Sequence, residues 1–123
     1  ATRFMATHEC QVHENIKKEI VKRQEFDTTL ICKSVNLQGR AIKNKIVGEI
    51  LEAEKKGANI MELAPLITGE RCRTAWETGD VDIAPMMMGQ SLGRIHDIKS
   101  CKEVIEDMVK QAQEEIERVR GLF

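Results

Sequence analysis

Apolar residues in this chain recur mostly at helical spacing. Val12, Ile16 and Ile20 fall every four residues and predict a helix over about 12–23. Ile42, Ile46, Val47, Ile50 and Leu51 put one apolar face on a second helix, about 40–56. Gly57 stops it, with Lys55 and Lys56 near its negative end. Asn59 and Glu62 have the spacing of a capping box and open a short helix that Pro65 limits. Thr68 is placed to cap the next helix, Gly69 to about Thr78, which Gly79-Asp80 ends. After a loop through Pro85, Met88, Leu92 and Ile95 predict a helical turn or two. Ser100 and Glu103 form a second capping box. Its helix carries Ile105, Val109, Ala112, Ile116 and Val119 at steps of four and three and ends at Gly121. That seam has the form of a coiled-coil interface but spans only two heptads, which favours packing against its own domain.

Strand signals are few. Thr28 to Cys32 is short, uncharged and β-branched, and Phe4-Met5-Ala6 reads as the last residues of a strand. Gly39 opens a polar turn. The expected fold class is therefore mainly α with one or two short strands. That is too little sheet for an independent α/β fold, and helices with such apolar stripes must bury them against something.

Composition narrows the function classes. Among 123 residues, 19 basic and 20 acidic side chains give a net charge of -1, which leaves no positive surplus for releasing counterions from phosphates. Aromatics are 3% and Tyr is absent, so platforms for stacking single-stranded bases are not expected either. No apolar run is long enough to cross a bilayer and no signal-peptide pattern is present. Cys10, Cys32, Cys72 and Cys101 form no CxxC pair; their even count allows two disulfides, but the lack of a signal peptide favours reduced thiols in the cytoplasm. The opening Ala1-Thr2-Arg3-Phe4-Met5 lies inside an apolar stretch without an initiator Met, as expected for a piece of a longer protein.

His8, Glu9, Cys10 and His13 bring metal-ligand types together, yet a tetrahedral zinc site would need a second ligand pair, and no metal site is expected. Cys32, Cys72 and Cys101 have no sequence-adjacent base and read as small buried hydrophobes. No two carboxylates stand out as an acid/base couple; the glutamates read as solvated helix faces with partners such as Glu114–Arg118. Trp76, beside Arg71 and Arg73, is expected in the core, with a subunit contact as the alternative. Met86-Met87-Met88 cannot all lie on one helix face, so at least one side chain must point away from the local core. Ordinary packing and a ligand contact both fit that run.

Taken in order, several segments resemble one family. Thr2-Arg3-Phe4-Met5-Ala6-Thr7 with Glu9 is similar to the "GTRF-L-A-T-x-E" region of nitronate monooxygenases, also called 2-nitropropane dioxygenases. Gly39-Arg40-Ala41, Thr68-Gly69-Glu70-Arg71, Gly79-Asp80 and Gly89-Gln90 with Gly93, Ile95 and Asp97 follow in the family's order. The resemblance implies the C-terminal part of a flavin-dependent (β/α)₈ TIM barrel with an inserted helical subdomain. Residues 1–7 would end the last barrel strand, 8–84 form the insertion, and 85–123 return to the barrel and form its last helix.

The resemblance further implies FMN and a small-molecule substrate in the full-length enzyme, which would oxidise alkyl nitronates with molecular oxygen. Ala1 and Thr2 would face the FMN phosphate, as loops after the last barrel strands commonly do. Gly89 and Gln90 would also contact the cofactor, and Met87 and Met88 would line the substrate cavity. The family has Gly where this chain has Ala1, a change that disfavours a positive φ there. The family's catalytic His lies on an earlier strand, and His8, His13 and His96 do not match it. No catalytic residue is therefore expected in this chain, which alone should be inactive. The alternatives are a type II enoyl-acyl carrier protein reductase-like flavoprotein, which shares the "GTRF" and "A-G-Q" elements, and a stand-alone helical interaction domain. A homo-oligomer is compatible with either; nucleic-acid and membrane partners are not expected.

Overall fold

The computed structural model describes residues 1–123. Its helices are α1 (Thr2–Met5), α2 (Glu14–Lys22), α3 (Lys45–Lys55), α4 (Ile60–Leu63), α5 (Gly69–Thr78) and α6 (Cys101–Arg120). Two strands, β1 (Thr28–Ile31) and β2 (Gly39–Ile42), form an antiparallel hairpin pairing Thr28 with Ile42 and Ile31 with Gly39. Short 3₁₀ turns cover Glu25–Asp27, Ala64–Leu66 and Gln90–Arg94. The mainly helical class with little sheet is as expected. No helix is long and apolar enough to cross a membrane.

The helix ends follow local chemistry. Asn59–Glu62 and Ser100–Glu103 both make reciprocal capping boxes. The Thr68 hydroxyl accepts from the Arg71 amide, and Gly79 closes α5 at φ +74, in the left-handed region where glycine is favoured. His13 caps α2 by accepting from the Asn15 amide through Nδ1. Glu9 accepts from the Cys101 amide with both carboxylate oxygens at 3.0 Å. That bond depresses its pKa below the ordinary carboxylate value. The polar stretch from His8 to His13 thus supplies helix caps.

Four expectations need correction. Residues 2–5 are a helical turn rather than a strand: Phe4 donates to the Ala1 carbonyl and Ala6 to Arg3, three residues back. Residues 39–42, expected as a turn and the start of a helix, are β2. Asn44 is the true N-cap of α3, its side chain accepting from the Val47 amide at 3.0 Å. Trp76 lies outside the core and is 45% exposed, because α5 turns Ala75 inward instead. On α6 only Val104 is buried; Ile105, Val109, Ile116 and Val119 face solvent. The α6 seam does not pack against the rest of this chain.

The hairpin divides two apolar clusters. Successive strand residues point to opposite faces, so Ile42 joins one cluster and Ala41 the other. The first cluster combines Ala6, Ile16, Ile20, Met86, Met88 and Leu92 with Ile42. It therefore draws on residues before 8, between 8 and 84, and after 85. The second gathers Ile31, Cys32, Ile46, Val47, Ile50 and Leu63 around Ala41. Burying side chains of this size contributes about 1.5–3 kcal/mol each, so the clusters tie the hairpin to α2 on one side and α3 on the other.

Candidate functional site

Residues 86–88 run beside β2 as an extended segment joined to it by a single antiparallel bridge. Ile42 donates to the Met86 carbonyl and Met88 donates to the Arg40 carbonyl, both at 3.0 Å. Ala41 and Met87 face each other across this antiparallel bridge. The methionines consequently alternate. Met86 and Met88 are 2% and 3% exposed in the first cluster, whereas Met87 is 53% exposed on the opposite face. The expectation that one Met must point away is met by strand geometry rather than helix geometry. Met88, expected to line a cavity together with Met87, packs in the core.

Ile31, Gly39, Ala41 and Met87 share that opposite face, because Ile31 pairs with Gly39 and Gly39 lies two residues from Ala41. Met87 lies over Gly39. A Cβ at residue 39 would clash with Met87 Cε. Met87 also borders a half-open cavity of about 220 Å³, lined with it by Ile31, Cys32, Leu37, Ile67, Cys72 and Pro85. The Cys72 thiol lies 3.9 Å from the Pro85 carbonyl. Burial pushes both thiols up, and the nearby Glu54 charge adds to the effect at Cys32. Cys32 follows β1 with φ 57, so its side chain leaves the strand at a bend.

The C-terminal end of this extended segment meets the N-terminal turn. Thr2 is 8% exposed, and its hydroxyl accepts from the Gly89 amide at 3.3 Å. Thr2 and Gly89 are therefore neighbours, Ala1 adjoins them in sequence, and Gln90 follows as an exposed residue opening a 3₁₀ turn. Gly89 has φ -79, and a Cβ there would meet only Ser91, its Oγ at 3.6 Å. The fold itself does not require glycine at this position. The hydroxyl proton of Thr2 has no acceptor within the chain, so it is available to an anionic oxygen.

A second link lies one residue further along. Arg3 donates to the Asp97 carbonyl at 2.8 Å and to its carboxylate at 2.7 Å, and Lys99 bridges Asp97 and Asp107 at 3.2 and 2.7 Å. The Asp107 hydrogen bond, then that of Asp97, raises the Lys99 pKa, and Lys99 in turn depresses that of Asp107. Sequence reasoning missed this ion chain, because no spacing connects residues 3, 97, 99 and 107. Arg3 and Asp97 each belonged to a recognised segment, and their pairing was the signal available. Lys17 has a role that its spacing does not announce: it is 2% exposed, donates to Glu14 within α2 at 2.8 Å and reaches the His8 carbonyl at 3.5 Å, holding α2 against the N-terminal stretch.

The nitronate monooxygenase family model matches residues 1–111. Among solved structures, FabK from Thermotoga maritima superposes with a TM-score of 0.91 at 32% identity, covering 100% of this chain and 39% of that one. Its M276A mutant superposes with a TM-score of 0.79 at 30% identity, covering 100% of this chain and 36% of that one. The chain thus spans less than two fifths of the length of the proteins it matches.

Proposed function

This chain belongs to the nitronate monooxygenase family, and from that premise we propose that it is the C-terminal part of an FMN-dependent oxidoreductase. In this reading residues 1–7 follow the last strand of a (β/α)₈ barrel, 8–84 form an insertion and 85–123 return to the barrel. The whole enzyme oxidises alkyl nitronates with molecular oxygen. The observation that carries the reading is the Thr2–Gly89 hydrogen bond, which joins the two segments expected to face the cofactor. The residues fit an FMN phosphate edge: a free hydroxyl donor at Thr2 and a glycine at 89 that the fold does not need.

When bound, FMN supplies the electron-transfer chemistry. This chain's part is positioning. The Thr2 O–H and the backbone at Ala1 hold the phosphate, Gly89 allows close approach of the backbone, and Gln90 offers a neutral amide for hydrogen bonding. Met87 presents an adaptable apolar surface to the substrate. The catalytic base is assigned to the remainder of the protein, since His13 is engaged as a helix cap and neither His8 nor His96 lies beside Thr2 or Gly89 in hydrogen-bond contact.

A second reading is an enoyl-acyl carrier protein reductase-like flavoprotein, favoured by the close superposition on FabK. The test is to assay the full-length protein with propionate 3-nitronate and with a crotonyl thioester. Oxygen-dependent loss of the nitronate is expected. Turnover of the thioester alone would replace the first reading with the second.

A further inference from the structure

We propose that Arg3 and Asp97 are positioning residues that aim the Thr2 hydroxyl at the cofactor phosphate, with Lys99 and Asp107 tying that setting to α6. The assignment rests on the flavoenzyme reading but goes beyond it, because none of these four side chains is among the expected cofactor contacts. They act through Thr2 rather than on the ligand.

The turn that carries Thr2 cannot orient itself. α1 is four residues long, has no side-chain cap, and closes on bonds three residues back, from Phe4 to Ala1 and from Ala6 to Arg3. One turn orders several dihedral angles for very few hydrogen bonds, so it is marginal by itself. Its placement must come from partners distant in sequence. One is Gly89, whose amide donates to the Thr2 oxygen and leaves the O–H proton to point elsewhere. A single bond of that kind leaves the turn able to swivel about it. The second partner is Asp97, which accepts from both terminal nitrogens of Arg3, through its carbonyl at 2.8 Å and its carboxylate at 2.7 Å. A planar fork gripping two acceptors on one residue fixes direction as well as distance.

Asp97 is itself held in place. Lys99 reaches its carboxylate at 3.2 Å and that of Asp107 on α6 at 2.7 Å, and the His8 amide donates to the Lys99 carbonyl at 3.0 Å. Thr7 and Lys99 pair as a parallel bridge, and Glu9 takes the Cys101 amide. Residues 97–101 thus lie in fixed register against residues 7–9, and the Arg3 fork extends that register back to the turn. Stability alone does not account for the pair. The Arg3 and Asp97 side chains are 20% and 49% exposed, and ion pairs open to water to that extent contribute little to folding. A directional clamp of small energetic worth, one residue from Thr2, suits the setting of a hydroxyl.

The test compares binding of FMN and of riboflavin, which lacks the phosphate, to the full-length protein stripped of flavin. Losing one hydrogen bond to a charged phosphate costs about tenfold in affinity or more. Arg3→Lys keeps the charge and loses the fork, so the FMN Kd should rise about tenfold while the riboflavin Kd stays unchanged. Asp97→Ala removes a negative charge near the phosphate. By charge alone it would tighten FMN binding, whereas a misaimed Thr2 weakens it, and weakening is expected. The double variant should bind FMN no worse than either single one, because both break the same clamp. Equal weakening of FMN and riboflavin, or losses that multiply in the double variant, would make the pair a structural prop and overturn the proposal. Unchanged FMN binding by Arg3→Lys would overturn it too. The unsubstituted protein tests the underlying reading separately. No preference for FMN over riboflavin would remove the phosphate site at Thr2, binding of neither would remove the flavoenzyme reading, and the assignment falls with either.

Discussion

The hydroxyl of Thr2 accepts a hydrogen bond from the backbone amide of Gly89, 3.3 Å away and 87 residues along the chain. This contact fixes the N-terminal turn against the segment that carries the three methionines. Thr2→Val keeps the shape and removes the acceptor. The unpaired Gly89 amide should lower stability by about 1 kcal/mol, read as a drop in Tm. In the full-length enzyme it should also weaken FMN retention, and Thr2→Ser should restore it. Undiminished flavin binding by the Val variant would remove Thr2 from the phosphate site.

Gly89 and Gly57 make a matched pair of substitutions. Gly89 sits at φ -79 with ordinary space for a Cβ, whereas Gly57 sits at φ +80. Gly57→Val forces a β-branched residue into the left-handed region and should cost about 1–2 kcal/mol of stability. Gly89→Val should leave the melting temperature nearly unchanged while reducing flavin content or kcat/KM of the complete enzyme. Equal flavin content and turnover in that variant would return the segment to ordinary packing.

The α6 stripe should respond oppositely in two settings. Ile105 and Ile116 are 52% and 56% exposed in this chain. In the isolated 123-residue chain such a stripe should drive self-association. Ile105→Lys with Ile116→Lys should shift sedimentation velocity profiles toward monomer without loss of helix signal. In the complete protein, where the stripe is proposed to cover a barrel, each substitution should lower stability by about 1–3 kcal/mol. No destabilisation there would mean that α6 faces solvent or a partner.

Acid should loosen the turn at Cys32. Burial alone would raise the pKa of Glu54, but hydrogen bonds from the Ser34 amide and hydroxyl and the Cys32 amide prevail and depress it. A carboxylate with a folded pKa below its unfolded value stabilises fully above the unfolded value. That contribution is lost as pH falls through the folded pKa. Glu9, Glu103 and Asp107 have the same sign. Urea midpoints measured from neutral pH downward should therefore fall through the acid range. Glu54→Gln should start lower at neutral pH and show a shallower acid decline, whereas an unchanged slope would remove Glu54 from the linkage.

Purified residues 1–123 should bind no stoichiometric FMN and oxidise no nitronate, because the base and most of the cofactor surface are assigned to the rest of the protein. Yellow material with one flavin per chain would contradict that division.

Local physics is legible in the order of residues alone. The capping boxes at Asn59 and Ser100, the Thr68 cap and the glycine stop at Gly79 each involve groups within a few residues of one another. So does the rule that three successive methionines cannot share a face. The ordered segments of the family resemblance are readable in the same way, since residue identity alone carries them. Strand β2 is not, because Ile42 satisfies both a helical spacing with Ile46 and a strand alternation with Ala41. Only the β1 partner and the Met86–Met88 backbone decide between them. Likewise, nothing local says that Met87 rather than Met88 is presented outward, or that Thr2 meets Gly89 and Arg3 meets Asp97. Hydrogen bonds within one helical turn close whatever the rest of the chain does. Pairings across dozens of residues form only when the apolar clusters on both faces of the hairpin have brought their partners together, so packing selected the site's geometry.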